Sequence, residues 1–276
     1  MSETKLKDAR FGRFLGGFTS EGTIGDTGCL KITNQDLQFI HQIVQSAVDV
    51  FGNEIVTKNP PTPEHVKDKN AFTYHKYLST KFGKFLINEV GIKPGRRILN
   101  DQGLPDFINN WQKSGFDYQN FVDWLRNYLQ ARFSGDGWVS LNSKRIGITK
   151  AKAVNFDNKI KNEIWSLYSK GKKIKEYPKD AIEKLKNEGR KSYNFPREFV
   201  ELKEILNIFF NINSKIDLGG VRTIYRDNKR NVLIVSCFYR LNISKQENVK
   251  KFRDKINFLE FDEFNRERLD SIILEN

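Results

Sequence analysis

A chain of 276 residues can hold one large domain or two fused modules, each with its own core, so stability does not depend on disulfides. Its two cysteines, Cys29 and Cys237, stand far apart with no short-spaced Cys or His set, which excludes a structural zinc site. The formal net charge of +13 favours a polyanionic partner, nucleic acid first, since cations that neutralise phosphates release condensed counterions.

The opening segment MSETKLKDARFG carries no apolar run of the kind a secretory signal needs, and no stretch approaches the roughly 18 apolar residues of a membrane span. The expectation is an intracellular protein without membrane association, in the cytoplasm or nucleoid of a prokaryote or in an organelle. Phe11, Leu15 and Phe18 recur at helical spacing, predicting an amphipathic helix that stops at Gly22, where a left-handed residue would close it. A hairpin over TIGDTGCLKIT follows, then a helix from about Gln35 to Phe51 and strands over NEIVTK and AFTYHKYL. A helix from Ser79 to Val90 closes the half.

The segment from Gly91 to Asp117 is rich in Gly, Pro and Asn and predicts a connection with one short helix, with a boundary near Gly115. Beyond it the plan recurs. Phe121, Leu125, Leu129 and Phe133 predict a second helix stopping at Gly137, followed by strands in WVSL and RIGITKAK and a helix over REFVELKEILNIFF. Strands over VRTIYR and VLIVSCFYRLNI, joined by the turn-prone DNKRN, lead to helices near Gln246–Ile256 and Asn265–Leu274. An insertion near 155–196 has no counterpart in the first half; from Lys150 to Lys191 there are 13 Lys and Arg against 6 Asp and Glu. It is either an added DNA-contacting arm or a solvated helical excursion.

The segments FLGGFTSEG (14–22) and LQARFSGDG (129–137) align without gaps and place acids Glu21 and Asp136 at matching positions, 136 − 21 = 115 residues apart. A carboxylate at a helix C-terminus faces the negative end of the macrodipole, so two such acids ask for a compensating cation. Hard divalent ions prefer oxygen ligands, and Mg²⁺ held by Glu21 and Asp136 answers that demand, with hydrolysis of phosphodiesters as the chemistry it supports.

These paired segments resemble the two LAGLIDADG motifs of single-chain homing endonucleases, and the repeat extends over nearly the whole chain. The resemblance implies an α+β fold of two pseudo-symmetric halves, 1–115 and 116–276, each an antiparallel sheet saddle backed by helices, joined where the motif helices pack. It implies small residues at that crossing, here Gly16, Gly17 and Ala131, and backbone carbonyls at Ser20 and Gly135 that help to hold metal. A polar residue ending the second strand of each half, Asn34 and Lys150, would order the attacking water. A basic residue is expected after the last helix of each half. Arg96 or Arg97 fits in the first, whereas FLEFDEFNRERL shows no such lysine and Arg266 is a poor substitute, a departure that leaves reduced or asymmetric cleavage open.

The activity implied is site-specific cutting of both strands of a long double-stranded DNA site by a monomer with internal twofold symmetry. A catalytically impaired DNA-binding protein, or a maturase acting on intron RNA, is the alternative on the same scaffold. Two-stranded ribbons fit the major groove, and alternation directs Lys31 and Thr33, then Arg145 and Thr149, outward, with Arg222 and Arg226 as candidates on the third strand of the second half. An ordinary solvated strand face is the competing reading for each. His41, His65 and His75 lack ligand spacing, and Trp111, Trp124, Trp138 and Trp165 are expected as core or interface anchors.

Overall fold

The computed structural model describes residues 3–66, 70–96, 98–154, 156–227 and 232–274. After a short turn of helix, α1 (Glu3–Leu6), the first motif forms α2 (Ala9–Glu21), capped by the Asp8 carboxylate on the Arg10 N–H. The chain passes directly into β1 (Gly22–Ile24) and β2 (Leu30–Asn34), then α3 (Leu37–Phe51). That helix starts two residues later than periodicity predicts because Asp36 caps it, accepting from Gln38 N–H at 2.8 Å and Phe39 N–H at 3.2 Å. The short strands β3 (Glu64–Val66) and β4 (Ala71–His75) and the helix α4 (Thr80–Asn88) follow.

The expected strand over NEIVTK is not one. Asn53–Ile55 makes a 3-10 turn after Gly52, and Val56 forms only an isolated bridge to Leu78; the fourth strand of the first sheet is drawn from Glu64–Val66 instead. Gly52, at φ 81°, turns the chain out of α3 too abruptly for a strand to begin there.

The connection carries the one short helix expected, α5 (Asp106–Asn109), and leads into α6 (Tyr118–Asp136), the second motif helix. Then come β5 (Gly137–Ser140), β6 (Arg145–Ala153), the two inserted helices α7 (Asn158–Ser169) and α8 (Lys179–Gly189), and α9 (Arg197–Phe210). The strand β7 (Lys215–Asp227) is far longer than VRTIYR suggests and carries irregularities in pairing at Leu218/Gly220 and Val221/Thr223, while β8 (Val232–Ile243) spans the expected VLIVSCFYRLNI. The helices α10 (Gln246–Lys255) and α11 (Glu263–Leu274) end the chain, and the predicted turn at 228–231 lies outside the described residues.

The two sheets repeat one topology: β1-β2-β4-β3 and β5-β6-β8-β7, antiparallel throughout. Helices pack on one face of each. The fold is therefore mixed α+β, with two four-stranded antiparallel sheets in pseudo-symmetric relation. Phe11, Phe14 and Phe18 of α2 stack on one another, Phe11 meets Phe51 edge-on and Phe14 packs at a tilt against Phe82, while Phe133 of α6 packs at a tilt against Phe252, its ring centroid 4.7 Å away. These clusters join into one core through α2 and α6, and a Phe39–Phe261 edge contact at 6.1 Å links α3 to the segment before α11.

Neither motif glycine is left-handed. Gly22 has φ −87° and ψ 155°, and Gly137 has φ −85° and ψ 165°, because each helix runs straight into a strand without a turn. Glycine is required for space instead: a Cβ on Gly22 would lie 2.1 Å from the Phe18 ring, and one on Gly137 2.1 Å from the Phe133 carbonyl oxygen. Among the described residues no helix is long and apolar enough to cross a membrane.

Candidate functional site

The site begins where α2 and α6 touch. A Cβ on Gly12 would fall 2.7 Å from the Trp124 carbonyl oxygen, and one on Gly16 2.1 Å from that of Tyr128. The Ser20 hydroxyl lies 3.3 Å from the Arg132 carbonyl oxygen. These pairs share one offset, 124 − 12 = 128 − 16 = 132 − 20 = 112, so the helices run parallel and in register. Backbones this close are possible only where one side has no side chain.

Gly16 thus sits at the crossing as expected, with Gly12 as an additional contact that periodicity did not single out. Gly17 does not: its missing Cβ makes room for Ile43 of α3, 2.4 Å away, one step round the helix. Ala131 is fully buried on α6. At the helix ends, a Cβ on Gly135 would come within 2.5 Å of the Ser20 Cβ, so the residues immediately preceding the two acids are in contact. Asp136 lines a cleft of about 840 Å³ together with Thr19, Ser20, Arg132, Thr149, Lys150 and Arg222. Glu21 stands half-buried at the end of the neighbouring helix.

Beneath the cleft lies a charge network that motif reading missed. Arg132, 1% exposed, donates from Nη1 to Asp136 Oδ2 at 2.7 Å and from Nε to Glu198 Oε1 at 2.7 Å. Glu198, in the first turn of α9 and equally buried, also binds the Lys150 ammonium through its other oxygen. Burial alone would raise the Glu198 pKa, but the Arg132 guanidinium and the Lys150 ammonium outweigh it and hold the carboxyl at about 2. Burial likewise opposes the charge on Arg132, and its two carboxylate neighbours reverse the effect. The compensating cation that the helix-end position of Asp136 asks for is therefore supplied from within, by a residue one turn earlier on the same helix.

Lys150 is correspondingly not a free strand-end group. It belongs to the helix-covered face of β6, with Ile146 and Ile148, and donates to the Gln102 carbonyl as well as to Glu198. Asn34 uses its amide oxygen to accept from the Asp36 N–H at 2.7 Å, at the entry to α3. Arg97 lies outside the described residues, and Arg96 packs its guanidinium over the Tyr225 ring of the second sheet, 5.8 Å away.

Alternation sorts the candidate reading face. Lys31 and Thr33 share the open face of the first sheet with His75 and Thr73, and the Thr33 and Thr73 hydroxyls are 2.7 Å apart. On the second sheet Arg145 and Thr149 share the open face with Arg240, a cation missed in the sequence, and Arg222 borders the cleft beside Thr149. Arg226 pairs with Leu233 in the ladder and turns to the other face, where its guanidinium lies 5.4 Å from the ring of Trp165 in the inserted α7. Of the four tryptophans, Trp124 is fully buried as expected and Trp165 is 36% exposed.

The oxygens expected to hold a divalent cation, the Glu21 and Asp136 carboxylates and the Ser20 and Gly135 backbone carbonyls, are hard donors of the kind Mg²⁺ takes. Among the described residues no group of three or more His, Cys, Asp or Glu gathers, so the protein alone supplies two acids at most. The donor chemistry fits, with the Arg132 guanidinium already on one oxygen of Asp136.

No protein-family model matches the chain, and no curated protein matches it. Among solved structures, full-length WhiA from Thermatoga maritima aligns with 100% of this chain at 12% identity and a TM-score of 0.46, and this chain spans 66% of that protein's length. I-DmoI, a LAGLIDADG homing endonuclease, in a variant form bound to its nicked target DNA in the presence of Mn, aligns with 90% of this chain and 95% of its own at 11% identity and a TM-score of 0.36. Each is a distant likeness of architecture.

Proposed function

We propose that the chain is a site-specific DNA endonuclease. In this reading it consists of two halves, 1–115 and 116–276, that straddle duplex DNA with the open faces of their sheets and hydrolyse phosphodiesters beside the motif helix ends. The observation that carries it is the contact between Ser20 and Gly135, the residues directly before the acids Glu21 and Asp136, at the ends of a parallel helix pair. Acids at matching helix ends, with Asp136 lining a cleft beside Lys150, Arg132 and Arg222, suit a phosphodiester, a group that needs positive charge around its oxygens and carboxylate-held cations at its reacting atoms.

In this reading Glu21 and Asp136 hold Mg²⁺ with help from the Ser20 and Gly135 carbonyls. The cation supplies Lewis-acid polarisation of the phosphoryl oxygen and charge stabilisation at the leaving oxygen. Arg132 fixes the Asp136 carboxylate in one orientation, and Glu198 fixes Arg132. Lys150, tied to Glu198, places a positive charge at the cleft wall. Lys31, Thr33, Arg145, Thr149 and Arg222 read or grip the duplex.

The second reading, DNA binding without cleavage, is favoured by one observation: the charge of Asp136 is already satisfied by Arg132. One experiment separates the two. DNA from the flanks of the gene is screened for cutting and binding with Mg²⁺ or Mn²⁺, and Glu21→Gln and Asp136→Asn are compared with the parent chain. Cutting should fall by about 10²-fold or more in either variant, the scale of losing a transition-state charge stabiliser, with binding unchanged. A parent chain that binds such DNA tightly and leaves it intact in both metals establishes the binding-only reading.

A further inference from the structure

The inserted α7 and the loop after it form a second cationic and aromatic feature, apart from the motif helices. A cleft of about 510 Å³ opens between the end of α7 and the edge strand β7, lined by Trp165, Tyr168, Ser169, Gly171, Lys172 and Arg226. The Arg226 guanidinium lies over the Trp165 ring, and its backbone N–H donates to the Tyr168 hydroxyl at 3.4 Å, so strand and arm are joined at this point. Trp165 keeps 36% of its surface exposed, an unusual placement for a large ring that could have been buried against the sheet.

Four lysines, Lys170, Lys172, Lys173 and Lys175, follow within six residues. All four are exposed, and none forms an ion pair with a described acid. The nearby acids are used elsewhere: Glu163 pairs with Lys184 at 2.8 Å, and Glu176 accepts from the Lys173 backbone N–H at 2.6 Å. The loop therefore carries an excess of positive charge, four lysines against the one carboxylate of Glu176, beside a ring platform. Cations that track a phosphate chain, next to an aromatic face on which a base can lie, are the two elements of recognition of an unpaired polynucleotide strand. The cleft volume falls in the range of small-ligand sites and is open at one side, as a strand passing through requires.

We propose that this arm cleft binds a single-stranded polynucleotide segment, with a base on Trp165 and Tyr168 and phosphates on Arg226, Lys172 and the adjoining lysines. Charge complementarity selects this occupant, and the site is independent of the two motif acids. Arg226 belongs to this site and not to the duplex-reading face.

The test compares the intact protein's affinity for a blunt DNA duplex, the same duplex with an unpaired DNA or RNA tail, and the free single strand. Trp165→Ala, Trp165→Phe and the triple change Lys170→Ala, Lys172→Ala and Lys173→Ala are measured alongside, with melting curves to establish that each folds. The tail should tighten binding about tenfold, and Trp165→Ala should erase that gain while Trp165→Phe retains most of it. The triple change should lower the salt dependence for the single strand by about 2 in log–log slope, from roughly 0.7 per phosphate contact. Tailed DNA should quench tryptophan fluorescence beyond the blunt duplex.

A tail that adds no affinity, or a gain that survives Trp165→Ala, overturns the proposal. Equal loss of blunt and tailed binding in the arm variants overturns it too and assigns the lysines to duplex flanks. Failure of the duplex reading looks different: tailed and single-stranded DNA would still bind, and blunt duplex would not.

Discussion

At the residue scale, Arg132 and Glu198 are the groups on which the site's electrostatics turn. Each is buried and charged, so each is tolerable only while paired. Replacing Glu198 with Met removes the counter-charge that Arg132 and Lys150 share, leaving Arg132 with Asp136 alone, and should cost about 3–5 kcal/mol in denaturant unfolding. The pH dependence has a defined sign. The Glu198 carboxyl is held at about 2 in the fold against an ordinary 4.5, so its contribution is fully present above about pH 4.5 and is lost as pH falls toward 2. Melting temperatures of the parent chain should drop through that window, and those of Glu198→Gln should drop less. The Arg132–Asp136 pair was open to sequence reading, since an i, i+4 cation and acid at a helix end is a recognisable pattern. Glu198 was not, because it meets Arg132 only through the fold, 66 residues away.

At the element scale, periodicity located the motif helices, α9, β6 and β8 closely, because a strong apolar repeat is a local property of the chain. It failed where tertiary context decided. Residues 53–58 are apolar enough for a strand, but the turn at Gly52 sends them past the sheet, and the weakly patterned Glu64–Val66 takes the edge. The resemblance implies both Gly16 and Gly17 at the helix crossing, but consecutive residues point about 100° apart around a helix, and the structure turns Gly17 toward Ile43. The crossing itself rests on Gly12 and Gly16. Gly16→Ala would set a Cβ 2.1 Å from the Tyr128 carbonyl oxygen, backbone that cannot yield, and should destabilise by roughly 1–3 kcal/mol or more. Gly91→Ala offers the comparison: no atom lies within 4 Å, so only the cost of its φ of 80° remains, about 1 kcal/mol.

At the scale of the whole molecule, one topology used twice creates a place that neither half has alone. The repeated order 1-2-4-3 of each sheet brings both motif helices to the middle of the chain's fold, parallel and in register, so that Ser20 and Gly135 touch. The charge excess, legible from composition, becomes two separate features: the open sheet faces with Lys31, Arg145, Arg222 and Arg240, and the arm with its lysine loop. The central claim is that the two acids serve one divalent-cation site at a phosphodiester. It is tested most directly by a crystal of the protein on DNA grown with Mn²⁺ and measured at the manganese edge. The account predicts an anomalous peak within about 2.0–2.3 Å of carboxylate oxygens of Glu21 and Asp136 and of a phosphate oxygen. Bound DNA with no manganese at those carboxylates, or with the Arg132 guanidinium still holding Asp136 and the metal elsewhere, would contradict it.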